Sequence, residues 1–583
     1  MKILFLCNLL LAINLTNAVT YYVAPWGSDD SSGTFAAPWQ TIGKAAQTMI
    51  AGDSVLIRGG IYAESVNPVN SGTPGAMITY TNYSSEEVIV EGGQEITGWA
   101  LDTGNRYMAN VNFTPSPRFS SSRDPAGNLG GLVLQDGAKM NYAMCLSIAE
   151  IDEPGEYYMN DSAGMGPPYV MYVNVRDLGA GYDPNNYQMI IGRRRKGFDL
   201  DGGEDYITVD GLTFRDYNDN AVHSIGSNFC EFKHLTFYSN FITGIYLTNY
   251  SRNCLISQCL FWDNGHGGIE LARSHSTTIK RCKFTAVDLG DGLGGNGAHM
   301  WLGPIGLSSD SCLIENNIGF RTGSDYITSV FVYVNGSYCI VRHNSCVRFG
   351  MAGIALFDGS DNAVINNAVD CDLGIACINV FPNAVADSGH IIQYNDLYAL
   401  DPTGKYRWDG VAYNSLAEWE AASGQTDNID SIPGFTDPDS EDLHLITGSA
   451  CVDAGTSVMA SSEDYDGVSR PQGAGYDIGA FEYIAVSIRE INTHFLNKEI
   501  NIKPNPVCRT VWITRSAYGS SGRLRIYDVT GRLLSILEFP ANESRVIWDC
   551  RDEKGITLPS GTYFVVYTAD DQPVAERKLV IVR

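Results

Sequence analysis

From about residue 205 the chain keeps returning to one short phrase. The segments "VDGLTF", "FKHLTF", "ISQCLF" and "IKRCKF" end at Phe214, Phe237, Phe261 and Phe284, spaced 23, 24 and 23 residues apart. Each is followed by a polar turn and a second piece: "NAVHSIGS", "GIYLTNY", "GIELARS" and "GAHMWLG". Later copies read "IENNIGF", "VRHNSCV" with "GIALFDGS", and "VINNAVD" with "GIACINVF". A fixed period of this size marks an array in which each unit stacks on its neighbours. The repeated pieces are β-branched or aromatic and are bounded by Gly, Asn, Asp and Ser, as strands are. No helical periodicity lies between them, which disfavours helix-based repeats. One period fits three short strands and three turns, so the pattern predicts an all-β chain wound as a right-handed parallel β-helix.

Stacking turns the repeat into columns. Cys230, Cys254, Cys312 and Cys339 fall in one, Cys259 and Cys282 in another. Adjacent coils lie about 4.8 Å apart, so disulfides are geometrically open. Cys is also a small buried hydrophobe, and interior ladders of free thiols are the expectation. Asn316-Asn317 and Asn366-Asn367 read as turn residues.

In "G-I-x-L" the Ile and Leu face inward, so the residue between them faces out. That outward column is expected to run His223, Tyr246, Glu270 and His299, then Ala355 and Ala376. The four polar groups would span roughly 14 Å, the length of a few sugar units. Outward positions of a solenoid are polar in any case; what singles these out is their neighbour, "VDLGDGLGGNGAHMWLG". That stretch spells G-x-G-x-x-G, but a dinucleotide loop needs a following helix, and here a strand follows. It reads instead as an insertion of about five residues at one corner, carrying Asp288 and Asp291 beside the column. Asp263 and His266 belong to the turn before Glu270, and Asp216 and Asp219 to a turn two coils earlier; singly, each reads as a turn residue. Arg193-Arg194-Arg195-Lys196 is a lone basic run, either a solvated turn or a contact for an anionic glycan.

Composition narrows the function. Net charge is −27 over 583 residues, which excludes nucleic acid, whose phosphates want a basic face. The start, "MKILFLCNLLLAINLTNA", has one lysine, an apolar run and small residues before position 19. It reads as a signal peptide over 1–18. No later apolar run reaches the length of a membrane helix. Export without a transmembrane segment is expected. Of fourteen cysteines, Cys7 leaves with the leader and thirteen remain, so at least one lacks an internal partner.

The mature start carries "YYVAPWGSDDSSGT", "PWQTIGKAAQ" and "AGDSVLIRGGIY". It resembles the N-terminal cap of secreted bacterial β-helix proteins of the pectin-lyase-like superfamily, with "ITYTNYSSEEVIVEGG" similar to their first coil. "GWALDTGNRYMANV", "GEYYMND" and "PPYVMYVNV" resemble the β-rich insertion of relatives that include glycoside hydrolases and polysaccharide lyases. "IPGFTDPDSEDLHLITGSACVDAGT" and "DYDGVSRPQGAGYDIGAFEY" resemble their closing segment. The tail, with "NIKPNPV", "LRIYDVTGRLL", "VIWDCRDEKGITLPSGTYFVVYTA" and "KLVIV", resembles the immunoglobulin-like sorting domain of type IX secretion cargo. The resemblance leaves open whether Cys508 and Cys550 pair. Together these imply a signal peptide (1–18), cap and first coil (19–97), β-rich insertion (98–200), coils with closing segment (201–485) and a C-terminal β-sandwich (486–583). They imply a monomer, exported by type IX secretion machinery, released or held at the cell surface.

The fold hosts many reactions, so chemistry rests on the column. Hydrolases need two carboxyl groups, about 5–5.5 Å apart for retention or 6.5–9.5 Å for inversion. Glu270 as acid, Asp291 as nucleophile or base, and His299 tuning the pair are the expected catalytic set. His223, Tyr246 and Trp301 would line sugar subsites. The resemblance also implies a lyase alternative, in which a Lys or Arg abstracts a proton and Ca²⁺ neutralises a uronate carboxylate. Asp263 and Asp288 would then be oxygen ligands; no other cofactor is called for. No lysine stands in the column, so His299, His223 or Tyr246 would have to move the proton. Cleavage of a polysaccharide, hydrolysis slightly ahead of elimination, is the expectation, against a non-catalytic glycan-binding or adhesion protein.

Overall fold

In the computed structural model the described residues are 18–113, 133–139, 147–160, 168–265, 267–287, 300–302, 308–322, 330–349, 351–371, 376–387, 389–484, 500–503, 511–515, 522–528, 532–539, 545–551, 557–569 and 572–581. They form two units, 1–483 and 484–583.

The first unit is a right-handed parallel β-helix of three sheets, one of eleven strands and two of ten. The first sheet begins with Thr20–Val23 and ends with Ile391–Gln393. The second runs from Gly60–Tyr62 to Asp396–Tyr398, and the third from Phe198–Leu200 to Val411–Tyr413. From the coil of Ile78–Asn82 onward each coil contributes one strand to each sheet, the third sheet ending in an antiparallel pair, Tyr406–Trp408 with Val411–Tyr413, and alternate residues point into a continuous core.

Register places like on like. Phe214, Phe237, Phe261 and Phe284 are direct partners, their rings nearly parallel at 5.6, 5.0 and 4.8 Å. The glycines that open "GIYLTNY" and "GIELARS" make room for this stack. A Cβ on Gly244 would lie 2.7 Å from the Phe261 ring, and one on Gly268 2.6 Å from that of Phe284.

The cysteines are interior. Cys230, Cys254, Cys259, Cys282, Cys312 and Cys339 are buried and unbridged, while Cys371 and Cys377 form a disulfide. The asparagines do more than turn the chain. Asn316 and Asn366 take the left-handed conformation (φ 53° and 58°), but Asn317 and Asn367 point inward. Asn317, Asn344, Asn367, Asn395 and Asn428 form a buried ladder, each side-chain amide donating to the next carbonyl oxygen at 2.9 Å. The ladder takes over from the Cys259–Cys282 column, since the Cys282 backbone N–H donates to Asn317 Oδ1. A buried amide is tolerated there because every member is satisfied.

The helix Ile42–Thr48 caps one end with Ile42, Ala45 and Ala46 buried. The chain leaves the coils after Val88–Glu91 for two four-stranded antiparallel sheets, which begin at Gly93–Glu95 and close with Met189–Gly192. The sequence places this excursion at 98–200. Yet Phe198–Leu200 is already a solenoid strand, paired with Val222–Ile225.

The closing segment packs on the side of the solenoid. It lies along the second sheet, where Phe435, Leu443, Leu445 and Ile478 pack on Ile318, Phe320, Val347 and Ala368. A fully buried ion pair, Arg470–Glu482 at 2.6 Å, sits within it. The second unit is a sandwich of a three- and a four-stranded antiparallel sheet around Ile513, Leu524, Trp548 and Val565. Cys508 lies outside the described residues, as do 1–17.

Candidate functional site

The third sheet presents a continuous outward column. Register sets Asp199 beside His223, His223 beside Tyr246, Tyr246 beside Glu270, and Glu270 beside Trp301. It continues through Tyr333, Ala355, Asn379 and Arg407. Three expectations change. Trp301, not His299, holds the place next to Glu270, because Met300 and Leu302 pair with the inward Ile269 and Leu271. Asn379, not Ala376, follows Ala355, since Ile378 aligns with Ile354. The column begins one coil earlier, at Asp199. His299, Asp288, Asp291 and His266 lie outside the described residues.

The column is recessed. His223 is 8% and Glu270 9% exposed, although both point away from the core. A carboxylate or imidazole so placed gives up most of its hydration and depends on its neighbours.

At one end those neighbours are charged. The Nδ1 of His223 is hydrogen-bonded to Asp201, with Asp199 Oδ1 at 3.7 Å. Lys196 Nζ sits on both carboxylates, 3.3 Å from Asp199 Oδ1. Burial opposes ionisation of Asp199, but hydrogen bonding with His223 and Asp201 and the Lys196 charge outweigh it and hold its pKa below the usual carboxylate range.

At the adjacent corner Asp219 is buried and bound to Arg195 at 2.6 Å. It also accepts from Asn220 Nδ2 at 2.8 Å. Burial raises its pKa against the pull of Arg195. The basic run is a partly exposed turn in which Arg195 and Lys196 also pair with carboxylates at this end of the column.

Tyr246 joins the two groups. Its ring centroid is 5.3 Å from that of His223. Burial raises its phenol pKa first and the Glu270 charge second; a hydrogen bond with Thr248 lowers it, and the Asp219 charge raises it again. The phenol thus feels both carboxylates, which favours its keeping the proton.

Among the described residues, Asp199, Asp201 and His223 are the one group whose donor atoms lie within 4.8 Å of one another. This set does not fit Ca²⁺, which takes six to eight oxygens. It offers two carboxylates and an imidazole, already bridged by a lysine ammonium. Asp263, expected as an oxygen ligand, is in no such group among the described residues. It occupies a corner with φ 51° and accepts from Ser239 Oγ at 3.3 Å. Asp199 and Asp201 in "KGFDLDGG" carry no role in the sequence reading, because that strand precedes the first Phe-ended repeat; Lys196 enters it only as part of the basic run. The signal was present, since F-D-L alternates as I-E-L does.

Residues 187–304 match the family described as right handed beta helix region. Over 116 residues (20% of this chain, 22% of the relative) the chain is 35% identical to the uncharacterized protein YwoF of Bacillus subtilis (strain 168). Over 87 residues (15% and 21%) it is 39% identical to the pectate lyase PEL9 of Emericella nidulans. The matches thus cover about a fifth of these curated relatives. Among solved structures, XylC in complex with xylose superposes with a TM-score of 0.51 at 14% identity, over 96% of this chain and 100% of that one. That likeness is one of fold. Among the described residues no helix is long and apolar enough to cross a membrane.

Proposed function

We propose that the protein is a carbohydrate-active enzyme that cleaves glycosidic bonds of a polysaccharide, by hydrolysis ahead of elimination. The observation that carries this reading is Glu270: an outward carboxylate at 9% exposure, in register with Tyr246 and two coils from His223. A surface used only for adhesion has no need to bury an ionisable group of this kind. Glu270 serves as the acid that protonates the leaving oxygen. Asp291 is the second carboxylate expected from the sequence; among the described residues, Asp219 is the carboxylate that shares Tyr246 with Glu270. His223 and Tyr246 hold sugar hydroxyls, and Trp301 extends the column.

A lyase reading has one specific observation in its favour. Asp201 fixes the His223 ring beside Tyr246, and such a pair can carry a proton from carbon to a leaving oxygen. The similarity to a pectate lyase points the same way.

The test uses the mature protein on a panel of neutral and uronate polysaccharides, following reducing ends and the ultraviolet absorbance of unsaturated uronates together. Reducing ends without absorbance establish a hydrolase, and absorbance establishes a lyase. Silence in both, with retained binding, returns the adhesion reading. Export goes with this proposal: the secreted protein should begin at Val19, and deletion of 486–583 should block type IX delivery. Finding the protein inside the cell with its leader intact would refute that part.

A further inference from the structure

The outward column changes character two coils beyond Glu270. Tyr333 is 8% exposed, and Ala355 and Ala376 are wholly covered, although Tyr333 and Ala355 occupy the same outward register as Glu270. They are covered by their own neighbours. Met351, Phe357 and Phe381 pack over them in a separate apolar cluster, with the Tyr333 and Phe357 rings 5.5 Å apart and Phe357 and Phe381 5.2 Å apart. The helix Pro382–Asp387 follows Phe381 directly and packs beside Ala352–Asp358. On the other side of Glu270 the column stays polar through Tyr246, His223 and Asp199.

We infer that the outward column is blocked as a binding track on this side of Glu270, so that the enzyme takes the ends of glycan chains and releases one or two sugars per cleavage. The inference rests on the reading of Glu270 as the cleaving acid. Its scale follows from the coil spacing: Trp301 is about 5 Å and Tyr333 about 10 Å from Glu270 along the axis. A pyranose in a chain advances about as far as one coil. One coil, that of Trp301, therefore separates Glu270 from the apolar wall, the axial length of one unit or at most two, while three polar coils lie on the other side for the rest of the chain. A chain passing straight through would have to lie across Tyr333, Phe357 and Phe381, where the outward positions are already filled.

The test reads product length early in the reaction. The wild-type protein is incubated with each polysaccharide of the panel, and products are sized by mass spectrometry while viscosity is recorded. Monosaccharide or disaccharide as the sole early product, with viscosity nearly unchanged, is the expected result. A broad ladder of oligomers with rapid loss of viscosity would overturn the inference and leave the enzyme reading intact. Phe381→Ala, which trims the wall, is expected to admit longer products; an unchanged product size in a folded variant counts against the wall. Should nothing be cleaved, the enzyme reading fails on its own, and binding of oligosaccharides of two to eight units decides the geometry. Affinity should stop rising at about five units, the number of coils from Asp199 to Trp301. A continued rise to eight, or no binding by any glycan, contradicts the blocked column.

Discussion

The inner and outer faces of the third sheet are made from the same strands and obey different rules. Inside, Ile245, Leu247, Ile269 and Leu271 are interchangeable apolar residues, all fully buried. Outside, Asp199, His223, Tyr246 and Glu270 are each used once, and each depends on a neighbour in the next coil. The interior repeats because stacking rewards identity, as in the phenylalanine and asparagine ladders. The exterior is free of that demand, so a departure from repetition marks a site. The lesson is to read the inside of a solenoid by what recurs and the outside by what does not.

The largest effect that would sharpen this contrast is catalytic. Glu270→Gln removes the acid but keeps the shape, and general acid catalysis is worth roughly 10²–10⁴-fold. A loss of that size in released ends, with unchanged melting temperature, is expected; a fall in both would make Glu270 a structural residue.

Next comes the interior. Phe261→Ala opens a hole in the ring stack and should cost about 3–5 kcal/mol by denaturant titration, leaving the chemistry of surviving folded protein intact. Asn367→Ala breaks the ladder between Asn344 and Asn395 and should cost about 1–3 kcal/mol, the usual penalty of stranding buried polar groups. A cost near zero would show that the ladder is only permitted, not required.

The smallest effect is in pH dependence, where two carboxylates should have opposite signs. Asp199 has a lowered folded pKa, so its contribution is present above its ordinary value of 3.8 and is lost as pH falls below it. Lys196→Met should weaken that dependence. Asp396, beneath the closing segment, is raised to about 7, first by burial, against hydrogen bonds from Cys451 and the Ser431 backbone. Its contribution is full below pH 4 and lost as pH rises through 7. Asp396→Asn should flatten the neutral limb of the stability curve and leave the acid limb unchanged. Equal effects on both limbs would contradict the assignment.

Much of this was legible in the sequence, and the reason is periodicity. Four phenylalanines at near-constant spacing determine the coil, and the I-x-L alternation determines which residue faces out at Tyr246 and Glu270. It failed where the spelling drifted. In "GAHMWLG" the glycine suggested a frame that put His299 in the column, but the apolar residues at Met300 and Leu302 set the register. Alternation outranks the turn residue because burial is worth more than a corner. Asp199 was hidden for a different reason: the coil it belongs to is interrupted by the insertion, so it has no complete repeat to announce it. The ladder role of Asn317 and Asn367 needed three dimensions, since a turn asparagine and an inward one are adjacent and look alike. Asp219 is the plainest gain, a turn aspartate by sequence and a buried partner of Arg195 in the fold.

The most direct measurement of the central claim is the release of new chain ends by wild-type protein and by Glu270→Gln, side by side, each checked for its melting temperature. The account predicts cleavage by the wild type, loss of at least about a hundredfold in the variant and equal melting temperatures. Equal cleavage by two equally folded proteins would place the chemistry elsewhere on the solenoid.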